Sequence, residues 1–284
     1  RWSRLVGAIG GTQVWRRLTD LSIAVAGVGR MGSIVAASLA RSGCRALTLI
    51  DPDRLEPHNC DAMDLATSMD CGRFKAEVVA ERITEVNQSA CPLVIPESVF
   101  SRRAYEALKQ ADVIVCAVDA PAPRLATGAL ATSYLKPWLD LGTGVFQEGQ
   151  QAMGHSGRHG VVGMQMGADI RLVLPGDGCV LCWGGLAAAP QGLREWEQGA
   201  GQVEWHRQRA GSLRSLNMLA VATGLRWLEE LIMGRLTESQ WQRVEINQQG
   251  LAEWRTMNPR RDPACGLCAQ VGRGDAGDEG AGLL

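Results

Sequence analysis

Residues 21–53 read LSIAVAGVGRMGSIVAASLARSGCRALTLIDPD, an apolar run, a glycine turn, a helix-spaced segment and a second apolar run in that order. Ile23 to Ala26 reads as a buried parallel strand, Ser33 to Arg41 has the spacing of a helix, and Ala46 to Ile50 is a second strand that stops at Asp51. Between the first strand and the helix, Gly27, Gly29 and Gly32 form G-x-G-x-x-G. In such a turn the first glycine makes the tight bend, the second lets backbone approach a phosphate, and the third seats the helix on the sheet. The amides that open the helix then face an anion. Asp51, nineteen residues after Gly32, stands at the tip of the second strand, placed to accept hydrogen bonds from a ribose. The order predicts a nucleotide-binding α/β domain; the plainer reading is a glycine-rich turn that binds nothing.

Beyond Asp51, the segment PDRLEPHNCDAMDLATSMDCG lacks periodicity and follows the carboxyl end of a strand, where open parallel sheets bind ligands. Arg73 to Asn87 is spaced as a helix with Ala76, Val79, Ala80 and Ile83 on its apolar side. Lys75 falls in its first turn, where a cation is unfavourable unless it meets an anion; otherwise it is a surface lysine. Cys91 to Pro96 reads as a strand, Arg103 to Gln110 as a helix, and Asp112 to Ala117 as a fourth strand that ends in Val118 and Asp119. An acid there can hold magnesium against phosphate oxygens, or equally cap the helix that begins near Pro121. A fifth strand, Trp138 to Leu141, ends at Gly142. GVVGMQM and DIRLVLP then follow as two strands with no helix between them, predicting an antiparallel extension to the same sheet, and after a long helix a final hairpin is expected (Arg243 to Asn247, Leu251 to Met257). The opening RWSRLVGAIGGTQVWRRL predicts one amphipathic lead-in helix that packs Leu5, Val6, Val14 and Leu18, with Arg4 as a solvated charge on it. The expected organisation is a single domain over residues 1–271, with lead-in 1–20, nucleotide half 21–145 and second half 146–271, followed by a flexible tail at 272–284 that has little to bury.

With 46% hydrophobic and 21% charged residues the composition is that of an ordinary soluble protein, and a net charge of −1 gives no global field for nucleic acid. The longest apolar helix candidate, Ser212 to Gly234, is interrupted by Arg214, Arg226, Glu229 and Glu230, so no membrane span is expected. No charged and apolar leader pattern is visible, and the start at Arg1 rather than Met reads as a trimmed end. Nine cysteines, an odd number, disfavour a fully paired disulfide framework and fit a reducing cytoplasmic setting. Four of them form two C-x-x-C pairs, Cys179 with Cys182 and Cys265 with Cys268. Two such turns complete a tetrahedral four-sulfur site for zinc, structural because no coordination position stays open, and expected to clamp the C-terminal segment onto the fifth-strand region. A redox C-x-x-C is the competing reading.

Together these landmarks resemble the E1-like adenylyltransferase superfamily, the group of ThiF, MoeB and HesA. The resemblance runs from Arg1-Trp2-Ser3-Arg4 through the glycine turn, Ile50-Asp51-x-Asp53, His58-Asn59, Asp70-x-Gly72-x-x-Lys75, Asn87, Cys116-x-x-Asp119 with Arg124, Leu141-Gly142 and both cysteine pairs. It implies a Rossmann-like, mainly parallel sheet with an antiparallel extension and a structural four-cysteine zinc site. It also implies ATP and magnesium as cofactors, adenylating the C-terminal carboxylate of a ubiquitin-like or sulfur-carrier protein that ends in glycine. By the same resemblance Gly27, Gly29 and Gly32 line the phosphates, Asp51 and Asp53 belong to the nucleotide site with Asp51 on the ribose, and Asn59 and Lys75 contact phosphate oxygens. Asp119 binds magnesium, and Arg4 reaches a neighbouring subunit's site, which implies a homodimer. An E2-like protein or a sulfurtransferase would act next.

Three departures stand out. Ala62 occupies the position where the resemblance calls for arginine in N-L-x-R, so either catalysis is weak, another cation substitutes, or the change is engineered to trap a complex; a weakened scaffold that docks a carrier or conjugating partner, or an adenylyltransferase acting on a peptide, is the alternative reading. Arg30 adds a charge where many members carry glycine. No cysteine lies between Cys182 and Cys265, so the thioester step of some members has no nucleophile there. The segment from Trp183 to Trp205 is read either as the groove for an extended carrier tail or as tryptophans buried on the sheet.

Overall fold

The computed structural model of the chain describes residues 2–147, 164–184, 213–247 and 249–276. Its centre is a set of strands that are apolar on both sides: β1 (Ser22–Ala26), β2 (Ala46–Ile50) and β4 (Val113–Cys116). Ile23, Val25, Leu47, Leu49 and Val115 point into one core cluster, while Ala24, Ala26, Ile50, Ile114 and Cys116 point into another. Strands buried on both faces need helices on both. The first cluster takes in α3 (Arg30–Ser42), α4 (Lys75–Val86) and α7 (Arg214–Ile232); the second takes in α5 (Arg102–Gln110) and α6 (Pro121–Ser133).

With β3 (Leu93–Ile95), β5 (Trp138–Gln147), β6 (Met164–Val173), β7 (Gln240–Ile246) and β8 (Ala252–Thr256), the sheet runs β3-β2-β1-β4-β5-β6-β7-β8. Pairings from β3 to β5 are parallel and those from β5 to β8 antiparallel, as expected. The chain leaves β1 towards β2 and β3, then returns to place β4 on the other side of β1. The loops after β1 and β4 therefore part at a switch point, where a ligand crevice forms in open α/β sheets. No helix among the described residues is long and apolar enough to cross a membrane.

Several elements differ from expectation. The lead-in breaks at Gly10 and Gly11, both at positive φ (95° and 103°), into α1 (Ser3–Ala8) and α2 (Thr12–Asp20). Leu18 enters the core, with Leu5 and Val14 packed against it. Fifth-strand pairing continues to Gln147 rather than stopping at Leu141, and the expected strands at residues 160–166 and 169–175 are one strand over their described part. The cause is that Gly167 and Ala168, which were to separate them, keep paired with both β5 and β7. Residues 272–276 of the expected tail are bonded to the body: the Gly274 amide donates to the Ser133 carbonyl at 2.9 Å, and Asp275 accepts from Lys109 and from the Tyr134 hydroxyl at 2.5 and 2.6 Å. Residues 277–284 lie outside the described residues.

Candidate functional site

The glycine turn shows which of its three residues the protein itself requires. A Cβ on Gly32 would lie 1.9 Å from the Gly27 carbonyl oxygen, and one on Gly27, at φ +82°, would lie 2.8 Å from the Ala117 oxygen beyond β4. At Gly29, directly before α3, nothing stands within 4 Å of a built Cβ. That open side faces away from protein atoms at the N-terminus of a 13-residue helix, the arrangement that accepts an anion.

Asp51 closes the turn from β2. It is 5% exposed; its carboxylate accepts the Val28 amide at 2.6 Å and the Asp53 amide at 2.9 Å. Burial pushes its carboxyl up to about 6, against the opposing pull of Lys75 and the two amides. Lys75 arrives from across the loop because residues 53–55 and 72–75 zip together: the Leu55 amide donates to the Arg73 carbonyl, the Gly72 amide to the Leu55 carbonyl, and the Lys75 amide to the Asp53 carbonyl at 3.0 Å. The Lys75 ammonium, on a residue only 8% exposed, is then held 2.8 Å from the half-exposed Asp53 carboxylate. This anion offsets the cation's unfavourable place at the start of α4.

Asn59 lies in a single 3-10 turn (Pro57–Asn59), its side-chain oxygen accepting the Glu56 amide at 3.0 Å. Asp119 sits two residues past the Ala117 backbone that abuts Gly27, exposed at the crevice edge. The N-cap of α6 is Ala120, not Asp119. The structure therefore gathers Gly27, Gly29, Gly32, Asp51, Asp53 and Lys75 at one end of the sheet, with Asp119 on the opposite lip. Arg4 is not among them. The Trp2 and Trp15 indoles donate to the Arg41 and Ser42 carbonyls, which pins α1 and α2 to the far end of α3, a helix of about 20 Å. Ala62 is 3% exposed, and the Arg214 guanidinium from the start of α7 donates to its carbonyl at 3.0 Å while pairing with Asp64.

The sequence reading missed a buried ionic chain beside this crevice. Asp140 on β5 is fully buried and lies 2.9 Å from Arg171 of β6 and 3.2 Å from the Arg124 Nε, the latter out of line for a hydrogen bond. Arg171 also donates to the Trp183 and Gly184 carbonyls at 2.8 and 3.1 Å, and stacks on Trp241. Arg243 grips Asp169 with two bonds of 3.0 Å. Arg124 extends the chain to the Val118 carbonyl, one residue before Asp119. The available signal was charge inside strand runs, Trp138-Leu-Asp-Leu and Asp169-Ile-Arg, because a charge placed there must be paired.

The four paired cysteines converge. Cys179 and Cys265 sulfurs are 3.5 Å apart, Cys182 and Cys268 3.5 Å, Cys179 and Cys182 3.9 Å, and all four lie within 4.8 Å of one another. Sulfurs bound to one tetrahedral zinc at about 2.3 Å are about 3.8 Å apart, so the cluster fits that ion. The Asp262 amide points at the Cys182 sulfur at 3.4 Å, as around a metal thiolate. The clamp lands on β6 and α6 rather than on the end of β5, through the Arg171 bonds and the segment that follows Cys268. Of the expected tail groove, Trp183 is buried in the second core cluster and residues 185–205 lie outside the described residues.

A family model for the ThiF family matches residues 3–265. The chain belongs to the ThiF family. Among its curated relatives, the tRNA threonylcarbamoyladenosine dehydratase of Escherichia coli is 32% identical over 117 residues, 41% of this chain and 44% of that protein. The sulfur carrier protein adenylyltransferase of Thermus thermophilus is 29% identical over 165 residues, 58% and 59% of the two chains. The chain thus spans under half the length of the first relative and under two thirds of the second. Among solved structures, E. coli MccB with AMPCPP and MccA shares the fold at a TM-score of 0.66 and 20% identity, covering 94% of this chain and 73% of that one. Adenylyltransferases recur among this ThiF-family protein's relatives.

Proposed function

We propose that this ThiF-family chain binds ATP with magnesium over the first crossover turn and adenylates the C-terminal carboxylate of a small carrier, a ubiquitin-like or sulfur-carrier protein ending in glycine, or of a peptide. The observation that carries the reading is the open face at Gly29, bordered by a buried carboxylate, a buried ammonium and a strand-end acid. The reaction joins a carboxylate oxygen to the α-phosphorus and breaks the bond to the β-phosphate bridge, giving an acyl adenylate and pyrophosphate. It calls for positioning and charge neutralisation more than for a general base. Asp51 orients the ribose. Lys75 exchanges Asp53 for phosphate oxygens, and Asn59 adds a donor from its amide nitrogen. Asp119 would hold magnesium, which would supply charge neutralisation around the triphosphate. Arg4, remote from its own turn, serves the partner site of a homodimer. The zinc is structural. A sulfurtransferase or an E2-like protein receives the activated carrier.

Support for a carrier or peptide substrate comes from relatives named as sulfur-carrier adenylyltransferases and from a relative in fold crystallised with MccA. An RNA substrate, which the dehydratase relatives' name would imply, has weaker support in a chain of net charge −1. A second reading follows from Ala62: a nucleotide-competent scaffold that docks a carrier without activating it. ATP–pyrophosphate exchange with candidate carriers separates the two. The enzyme exchanges label, forms an AMP adduct visible by mass spectrometry, and gains exchange at least tenfold with Ala62→Arg. The scaffold binds ATP and carrier, and neither it nor the variant exchanges.

A further inference from the structure

Five cysteines stand outside the zinc cluster. Cys44 and Cys116 are fully buried, and burial pushes both thiols up to about 12; Cys91 is exposed. Cys60 and Cys71 differ from these three. Both are half-buried, and their sulfurs face each other at 3.8 Å across the loop after β2, the one sulfur pair within 4 Å outside the zinc cluster among the described residues.

We propose that Cys60 and Cys71 are a modification site, a dithiol that a low-molecular-weight disulfide converts to a reversible intramolecular bridge. A disulfide bond is about 2.05 Å long, so the sulfurs must approach by roughly 1.8 Å. The local backbone can absorb that movement. Cys60 and Cys71 each close a 3-10 turn (Pro57–Asn59 and Ser68–Asp70), and their amides hold the turns by long bonds of 3.3 Å to Pro57 and 3.4 Å to Ser68. Gly72 follows directly at φ +89° with open space beside it; its own amide is held by the Leu55 carbonyl at 2.8 Å, so the movement falls to the two turns. Both cysteines pack against the first core cluster, and among the described residues the Cys60 sulfur's other hydrogen-bond partner is the Glu56 carbonyl, at 3.9 Å.

The chemistry balances as two exchanges. One cysteine thiolate attacks the small disulfide and expels a thiol; the second attacks the resulting mixed disulfide and expels another. The protein gives up two protons and two electrons, and the reagent gains them as two thiols. The bridge ties the turn that carries Asn59 to the turn that carries Asp70, so the loop flanking the Asp53–Lys75 pair becomes a closed ring. This inference stands whether or not the chain adenylates a carrier.

The test exposes the full, zinc-loaded chain to graded ratios of oxidised to reduced glutathione, blocks remaining thiols by alkylation, and maps peptides by mass spectrometry. The expected product is a Cys60–Cys71 cross-linked peptide two hydrogens lighter, reversed by dithiothreitol, at ratios where Cys91 carries a glutathione adduct and zinc stays bound. In Cys60→Ser and Cys71→Ser the remaining thiol should carry glutathione instead. The proposal is overturned if wild-type protein accumulates mixed disulfides at Cys60 or Cys71 without the bridge. It is equally overturned if neither residue reacts while Cys91 does, or if the bridge recruits a zinc cysteine. The wild-type map decides even if a serine variant fails to fold.

Discussion

Two carboxylates on the loop after β2 titrate in opposite directions. Asp51 is raised by burial from 3.8 to about 6, so the folded chain binds this proton more tightly than the unfolded one; its contribution to stability is complete below about 4 and is lost as pH rises through about 6. Asp70 is lowered, chiefly by the Thr67 hydroxyl, with the Thr67 amide, Arg82 and Arg73 adding to it; its contribution is present above the ordinary carboxylate value and disappears as pH falls through the depressed one. In the proposed function Asp51 takes the ribose as a pure acceptor, which requires its ionised form. Nucleotide affinity should therefore weaken as pH drops through about 6, and Asp51→Asn should bind at least about tenfold more weakly with a flattened profile, read by calorimetric titration from pH 5 to 7.5. The glycines separate folding from binding in the same way. Gly32→Ala meets the Gly27 oxygen and should cost about 1–3 kcal/mol in urea unfolding, whereas Gly29→Ala should change stability by less than about 1 kcal/mol yet still abolish nucleotide binding. These residues were legible because their spacing states their chemistry. The partner that holds Lys75, Asp53, was legible only as a neighbouring acid, since the zip between residues 53–55 and 72–75 follows no sequence period.

At the level of elements, helices and parallel strands were readable from apolar periodicity, and the errors fell where pairing overrides local pattern. Gly167 and Ala168 look like a break and are strand because β5 and β7 bond them from both sides. The lead-in looks like one helix and is two, its tryptophans satisfying carbonyls at the end of α3 that would otherwise lack partners. Buried charge was the larger omission, because a period-2 reading sees Asp140 and Arg171 as exceptions rather than as each other's partner. Asp140→Ala would leave the Arg171 and Arg124 guanidiniums short of a counter-charge in a dry interior and should cost about 3–5 kcal/mol. Removing Glu230, which pairs with Arg226 on the exposed side of α7, should cost under about 1 kcal/mol. Denaturant unfolding of the two variants side by side checks the contrast.

For the whole molecule, the four-cysteine cluster joins segments 86 residues apart and the ionic chain carries that junction to the lip of the crevice. Stripping metal with a strong chelator should release one zinc per chain and lower the melting temperature by roughly 10 °C or more, a shift equivalent to about 6 kcal/mol at this size. The two C-x-x-C pairs announced the junction in the sequence, but not the surface it fastens, since thiolate spacing says nothing about which helix lies beneath. The separation of the pairs also orders events during synthesis. The five parallel strands and their helices can leave the ribosome and pack while the first two thiolates are still a half-site, able to hold metal only weakly and exchangeably. Tight capture waits until Cys265 and Cys268 have followed, so a chain that stalls between the two pairs would present a formed crevice with its fastening undone.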